Sequence, residues 1–187
     1  SPVHPNDHVN MAQSSNDSFP TAMHMATALA VVEHLLPALR NLQTDLERLA
    51  DQHAQLIKIG RTHLMDATPL TFGQELSAFV VQLQLSETAL AQSQHNVLQL
   101  AQGGTAVGTG LNAPAGFAEA IATEIAELSG LEFTSAPNKF AALAGHEPLV
   151  LLSGVLKTLA CTLMKLANDL RLLSSGPHAG FAEVRLP

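Results

Sequence analysis

Apolar residues recur at helical spacing along most of the chain. Met23, Ala26, Leu29, Ala30 and Val32 form one such run; Leu39, Leu42, Leu46 and Leu49 form another that continues to about Leu56. Pro37 lies between them, and its ring clashes with the preceding turn, so it is expected to kink the helix or divide it in two. Asp17 or Ser18 is expected to cap the first run, with Pro20 in the first turn, where a missing N–H costs nothing. Residues 57–70 break the pattern as a polar connector. Thr71 then opens a second long helix through Leu76, Phe79, Val80, Leu83, Leu90, Val97 and Leu100, which Gly103-Gly104 stops. A Gly/Thr/Asn loop to Asn112 precedes a shorter helix from Pro114 to Leu128, with Gly130 just past its end. Residues 131–146 read as irregular, with one helical turn near Phe140. The last helix spans roughly 147–174, is apolar almost all the way round, and ends at Gly176-Pro177. The fold class this predicts is all-α, an elongated helical bundle.

Composition sharpens that picture. At 187 residues the chain is long enough for one domain with its own core. Hydrophobic residues make up 47% and charged ones 13%, so a lone monomer would have a charge-poor surface, and apolar area is expected to be buried against partner chains. With no Trp or Tyr, the core is aliphatic and Ala-rich. The formal net charge of -7 with scattered cations opposes nucleic acid as a partner. Cys161 is the only cysteine, which fits a reducing compartment. No targeting segment opens the chain. The most apolar segment, Leu149 to Leu173, carries Lys157, Lys165, Asp169 and Arg171, which argue against a membrane span and for a buried helix.

Four polar segments carry candidate chemistry. In Gly60-Arg61-Thr62-His63-Leu64-Met65-Asp66-Ala67-Thr68-Pro69, one imidazole stands beside a hydroxyl, an arginine and an aspartate, between long helices. An imidazole held there can serve as acid or base near neutral pH; a satisfied structural histidine is the plainer reading. Gln13-Ser14-Ser15-Asn16-Asp17 contains a helix cap and more hydroxyls and amides than a cap needs, which suits a carboxylate at a helix start. His4-Pro5-Asn6-Asp7-His8-Val9-Asn10 has a His pair four apart, but Pro5 intervenes and no third ligand is spaced to match, so no metal is expected; a polar or anion-binding turn is. The glycines of Gly103-Gly104-Thr105-Ala106-Val107-Gly108-Thr109-Gly110-Leu111-Asn112 have neither a preceding strand nor a following Lys-Ser/Thr, so they read as turn formers and not as a nucleotide loop.

Taken together, and with Ala136-Pro137-Asn138-Lys139-Phe140 and Asn168-Asp169-Leu170-Arg171, these segments resemble the fumarase/aspartase superfamily, the class II fumarases in particular, over essentially the whole chain. Aspartases usually have Gln where His63 stands, Asn where His4 stands, and no counterpart to Pro137-Asn138-Lys139-Phe140. Met65 departs from the usual Gln of the signature, which leaves the catalytic group but alters the local hydrogen bonding.

The resemblance implies reversible hydration of fumarate to L-malate, with a small dicarboxylate as substrate and no cofactor. It implies that Ser14, Ser15 and Asn16 bind a substrate carboxylate, that Thr62 belongs to the same site, and that His63 is catalytic, handling the water or leaving hydroxyl. His4, Pro5, Asn6 and Asp7 would form a secondary anion site. Residues 1–13 would end an N-terminal domain and 14–187 would form the central helical domain. That domain assembles in the family into a homotetramer whose sites draw on three subunits. A cytoplasmic location is expected, or a mitochondrial one in a eukaryote. The family's Ser-Gly-Thr loop should precede Ser1 and its mobile serine loop should follow Pro187. The chain is therefore expected to be a fragment of a longer protein, inactive alone. An ammonia-lyase of the same superfamily and a non-catalytic helical assembly module are the alternatives.

Overall fold

The computed structural model describes residues 2–186; Ser1 and Pro187, the outer ends of the two expected domains, lie outside them. The chain is mainly helical, as its periodicity predicts, and it folds as two compact units. Residues 2–36 with 91–153 form the first, and residues 37–90 with 154–186 form the second.

In the first unit, Pro5–Val9 is a short π-helical turn, and α1 runs over Ser15–Ala30. The α1 cap is Ser14, earlier than expected. Its hydroxyl accepts from the Asn16 N–H, while Asp17 accepts the Ser14 N–H at 2.9 Å, a reciprocal capping box. Pro20 therefore falls in the second turn. The unit also holds the end of α3 (Phe72–Val97), α4 (Phe117–Ser129), α5 (Lys139–Ala144) and the start of α6 (Glu147–Leu173). Helix α3 ends at Val97, short of the Gly103-Gly104 stop that the sequence suggests. The next residues form β3 (Gln99–Leu100), which pairs in parallel with β4 (Thr134–Ser135). This pairing satisfies the backbone that the helix no longer serves, through Thr134 N–H to Leu98 O at 2.9 Å and Ala136 N–H to Leu100 O at 3.0 Å. Helix α4 begins at Phe117 and not at Pro114, and Gly130 ends it in the left-handed conformation. Ala28, Val31, Val97, Leu100, Ala122, Phe133 and Leu152 form the core of this unit.

Helix α1 passes through a π-helical turn at Val31–Leu35 into α2 (Leu36–Gln52). The expected break at Pro37 thus takes a milder form. The Leu36 N–H reaches the Val31 carbonyl one residue farther back than in an α-helix, so the ladder widens where the proline lacks a donor.

The second unit packs α2, the first part of α3 and most of α6 around Leu39, Leu46, Leu76, Phe79, Leu83, Leu90, Leu159, Leu166 and Leu173. Alternating three- and four-residue steps along Leu76, Phe79, Leu83, Ser86 and Leu90 make the seam of a coiled-coil-like contact. Each fully buried leucine contributes roughly 1.5–3 kcal/mol. Within one chain, helix α6 is only partly buried. It buries one stripe at seven-residue spacing, Leu152, Leu159, Leu166 and Leu173, and leaves Val150, Leu151, Leu156, Leu163 and Met164 exposed. By length and composition alone α6 and the continuous helix Ser15–Gln52 could each cross a membrane. The exposed Lys165–Asp169 and Arg40–Glu87 ion pairs put charge in mid-helix, as in helices that meet water or other protein.

Residues 57–70, expected to be a polar connector between helices, form a β-hairpin of β1 (Ile57–Thr62) and β2 (Met65–Thr71), antiparallel. A short alternating run of Ile, Thr and Leu broken by Gly60 is easily read as a loop when helices flank it. Phe72 N–H to Leu56 O (2.8 Å) and Gly73 N–H to His53 O (3.1 Å) close its base.

Candidate active site

In the second unit, the hairpin turn consists of His63 and Leu64 alone. Both have positive φ, 53° and 62°. A two-residue turn with both central residues left-handed is the kind that matches strand twist, and it normally uses Asn-Gly. Leucine there is strained by about 1–2 kcal/mol. Strain of this kind survives where a particular side chain must be presented. His63 is presented: it is exposed, and its imidazole has no hydrogen-bond partner among the described residues. Thr62 is exposed beside it. A cavity of about 570 Å³ lies under the hairpin, lined by His63 and Leu64 from the turn, by Arg61 and Lys58 from β1, and by Lys165 and Asp169 from α6.

The charged residues below the turn are tied together. Glu183 takes Lys58 at 2.8 Å on one carboxylate oxygen and Arg61 on the other; Lys58 also pairs with Glu75. The Arg61 hydrogen bond, with Lys58, holds Glu183 below the usual carboxylate range. Burial alone would lower Lys58, but Glu183 and Glu75 outweigh it and raise it. Arg61 is raised chiefly by Glu183, with Asp66, its partner across the hairpin, adding to the effect.

In the first unit, Ser14, Ser15 and Asn16 open α1. Ser14 and Ser15 line a cavity of about 620 Å³ together with Asn6, Asn10 and Gln13, so a residue of the expected secondary anion segment meets the expected carboxylate binders. Ser15 and Asn16 line a second cavity of about 520 Å³ with Phe19, Phe140 and His146. The Ser14 hydroxyl accepts in the cap, which leaves its proton to donate outward. Asn16 gives one amide N–H to Ala106 O at 2.7 Å and keeps the other. Ser15 is exposed, and its hydroxyl has no hydrogen-bond partner among the described residues.

Asp17 fixes this geometry from below. It is fully buried; one oxygen accepts the Ser14 N–H, and the other accepts the N–H groups of Gly103 at 3.1 Å and Thr105 at 2.8 Å. The glycine-rich loop is therefore a strap over the start of α1. Gly103 needs its φ of +92°, and a side chain there would strike Ala118. Lys139 donates to Leu100 O at 2.7 Å; burial lowers its pKa, with Glu119 and Asp17 opposing.

The segment expected to form a secondary anion site is helical despite Pro5, which takes the first position of the π turn. His4 caps that turn. Its Nδ1 accepts the Asp7 N–H at 3.2 Å and lies 3.1 Å from the Asp7 carboxylate, while the His4 N–H donates to His8 Nδ1 at 2.8 Å. Among the described residues no group of three or more His, Cys, Asp or Glu could hold a metal.

The structure thus gathers Asn6, Ser14 and Ser15 in the first unit, and Thr62 and His63 in the second. Sequence reasoning missed three residues. His24 is buried on α1 with Nδ1 2.8 Å from Val97 O, and His146 lines the Ser15 cavity; neither has a local motif. Glu183 is the third, with no spacing signal, because its partners lie 122 and 125 residues earlier.

Over residues 1–187 the chain matches the model of the lyase family. It is 72% identical over 187 residues to the class II fumarate hydratase 1 of Pseudomonas aeruginosa, covering all of this chain and 40% of that protein. It is 56% identical over 186 residues to the mitochondrial fumarate hydratase of Homo sapiens, covering 36% of that protein. The crystal structure of class II fumarase from Schistosoma mansoni superposes with a TM-score of 0.93 at 46% identity, over 95% of this chain and 40% of that one. A fumarate lyase:delta crystallin structure from Brucella melitensis, bound to cobalt, gives 0.94 at 42% identity, over 100% of this chain and 40% of that one. The chain spans about 40% of the length of the first of these curated relatives. With every candidate segment inside the matched region, this chain belongs to the lyase family, as a relative of the class II fumarate hydratases.

Proposed function

We propose that the chain supplies the central helical domain of a fumarate hydratase, residues 14–187 after the end of an N-terminal domain at 1–13. The observation that carries this reading is His63, held by a strained two-residue turn at the tip of a hairpin within a sequence 72% identical to a class II fumarate hydratase. Removing a proton α to a carboxylate builds up a dianionic aci-carboxylate, which needs several aimed donors. Ser14, Ser15, Asn16 and Thr62 supply hydroxyl and amide donors. His63 supplies the acid that loss of hydroxide needs near neutral pH. His4, Pro5, Asn6 and Asp7 form a secondary anion site next to Ser14. The substrate is fumarate or L-malate, and the working form is a homotetramer. The compartment is the cytoplasm in a bacterium and the mitochondrion in a eukaryote.

The test uses the protein expressed from the complete open reading frame. His63→Asn should lower kcat by ~10²–10⁴-fold, the usual loss for a general acid or base. Binding of a dicarboxylate inhibitor should change by less than about 1.5 kcal/mol, the ceiling for one neutral hydrogen bond. Ser15→Ala should show the opposite balance, with KM rising more than kcat falls. Nearly full kcat in His63→Asn with inhibitor affinity lost would make His63 a binding residue and defeat the assignment.

A further inference from the structure

We infer that Glu183 is a positioning residue for His63: by bridging Lys58 and Arg61 it clamps the hairpin and sets where the turn holds the imidazole. This rests on the role proposed for His63 above.

Among the described residues the imidazole has no side-chain partner, and the backbone of the turn sets where it projects from. A two-stranded hairpin is marginally stable in water, and this one carries two left-handed residues at its tip, so something outside it must hold its shape. Lys58 and Arg61, three apart, would face opposite sides of a flat strand. The pairing slips between Ile59 and Arg61, where two steps on β1 oppose three on β2, and the added twist of such a bulge lets both cations reach one side. There the two oxygens of Glu183 take one cation each.

Arg61, two residues before His63, is held twice. Its guanidinium pairs with Glu183 and stacks 4.0 Å from the centre of the Phe181 ring. The segment that carries both residues is itself anchored to the end of α6. Phe181 N–H donates to Ser175 Oγ at 3.1 Å, Ala182 N–H to Ser175 O at 2.8 Å, and Glu183 N–H to Leu173 O at 2.9 Å. A continuous set of hydrogen bonds therefore runs from α6 through Glu183 to Arg61, the residue before Thr62. The four charged side chains are only 13–28% exposed, so water and salt weaken this network less than a surface pair. Glu183 is ionised at neutral pH because Arg61 and Lys58 hold its pKa down.

The test compares Glu183→Gln, Phe181→Leu and His63→Asn in the protein from the complete open reading frame. Displacing a reacting group by ~1 Å costs on the order of 10²-fold, so Glu183→Gln should lower kcat about 10–100-fold, with KM for L-malate within about twofold. Amide hydrogen exchange at residues 61–65 should speed up in the same variant. Phe181→Leu replaces a ring already 37% exposed, so it should fold normally and show a smaller loss of kcat in the same direction. If Glu183→Gln does not fold, Phe181→Leu decides alone. A melting temperature that falls while kcat stays within twofold would make Glu183 a structural latch and overturn the inference. If His63→Asn itself keeps full kcat, the assignment of His63 fails and takes this inference with it; loss of activity in His63→Asn alone sinks only the inference.

Discussion

At Leu64, local preference and tertiary structure disagree openly. It is 68% exposed, so it contributes little to the core, yet it holds φ at +62° as the second member of a turn that favours glycine. Relief of left-handed strain outweighs the entropy that glycine adds to the unfolded chain. Leu64→Gly should therefore stabilise the protein by about 0.5–1 kcal/mol, seen as a higher midpoint of guanidinium unfolding. An unchanged or lower midpoint would mean that the leucine makes contacts that offset its backbone cost. Asp17 shows the reverse case, a charge in full agreement with its surroundings. It is completely buried, and it accepts three backbone N–H groups, one from Ser14 in its own cap and two from the distant Gly103 and Thr105. Hydrogen bonds to a charged acceptor are the strong ones, so this carboxylate can join the start of α1 to the glycine-rich loop.

At the scale of elements, the sequence made the helices legible and the hairpin illegible, for a physical reason. Periodicity reports which face is buried, and α1, α2, α3 and α6 each bury a face at helical spacing. The hairpin buries only one residue outright, Gly60, so it leaves no alternation to read. Helix ends were less legible because caps compete: Ser14, Asp17 and Ser18 are all suitable, and only the reciprocal bond between Ser14 and Asp17 selects one. His63, Ser14, Ser15 and Asn16 could be singled out because their segments are locally rich in polar groups. His24 and Glu183 could not, because what gives them meaning is a neighbour far along the chain. Helix α1 also carries a pH dependence. Burial lowers the pKa of His24 below 6.5, and His146 adds to this, while the carbonyls of Val97 and Gln99 oppose it. The unfolded chain then binds the proton more readily than the folded one, so stability falls as pH drops from about 6.5 toward the folded-state value. His24→Gln keeps a donor for Val97 O and removes the titration. Its urea midpoint should fall less than that of the unmodified protein between pH 7.5 and 5.5. Equal falls would place the acid sensitivity in another group.

At the scale of the whole molecule, the exposed apolar surface of α6 is stabilisation that a single chain leaves unused. Leu156, Leu163, Met164 and Leu172 are 37–62% exposed, on a helix that buries only the stripe Leu152, Leu159, Leu166 and Leu173. Their burial against further copies would add roughly 25 cal/mol per Å² of apolar area removed from water. Light scattering and sedimentation at micromolar concentration should therefore show an oligomer, with a tetramer as the expected species. A well-folded monomer at that concentration would contradict this. A newly made copy of α6 also has to survive the interval before it meets another. Over that interval a helix of 27 residues, apolar enough to pass for a membrane segment, is open to chaperones and to aggregation. Yield in the cell should then depend on how fast copies find one another, and low expression, by diluting the partners, would lose more chains to quality control than high expression does.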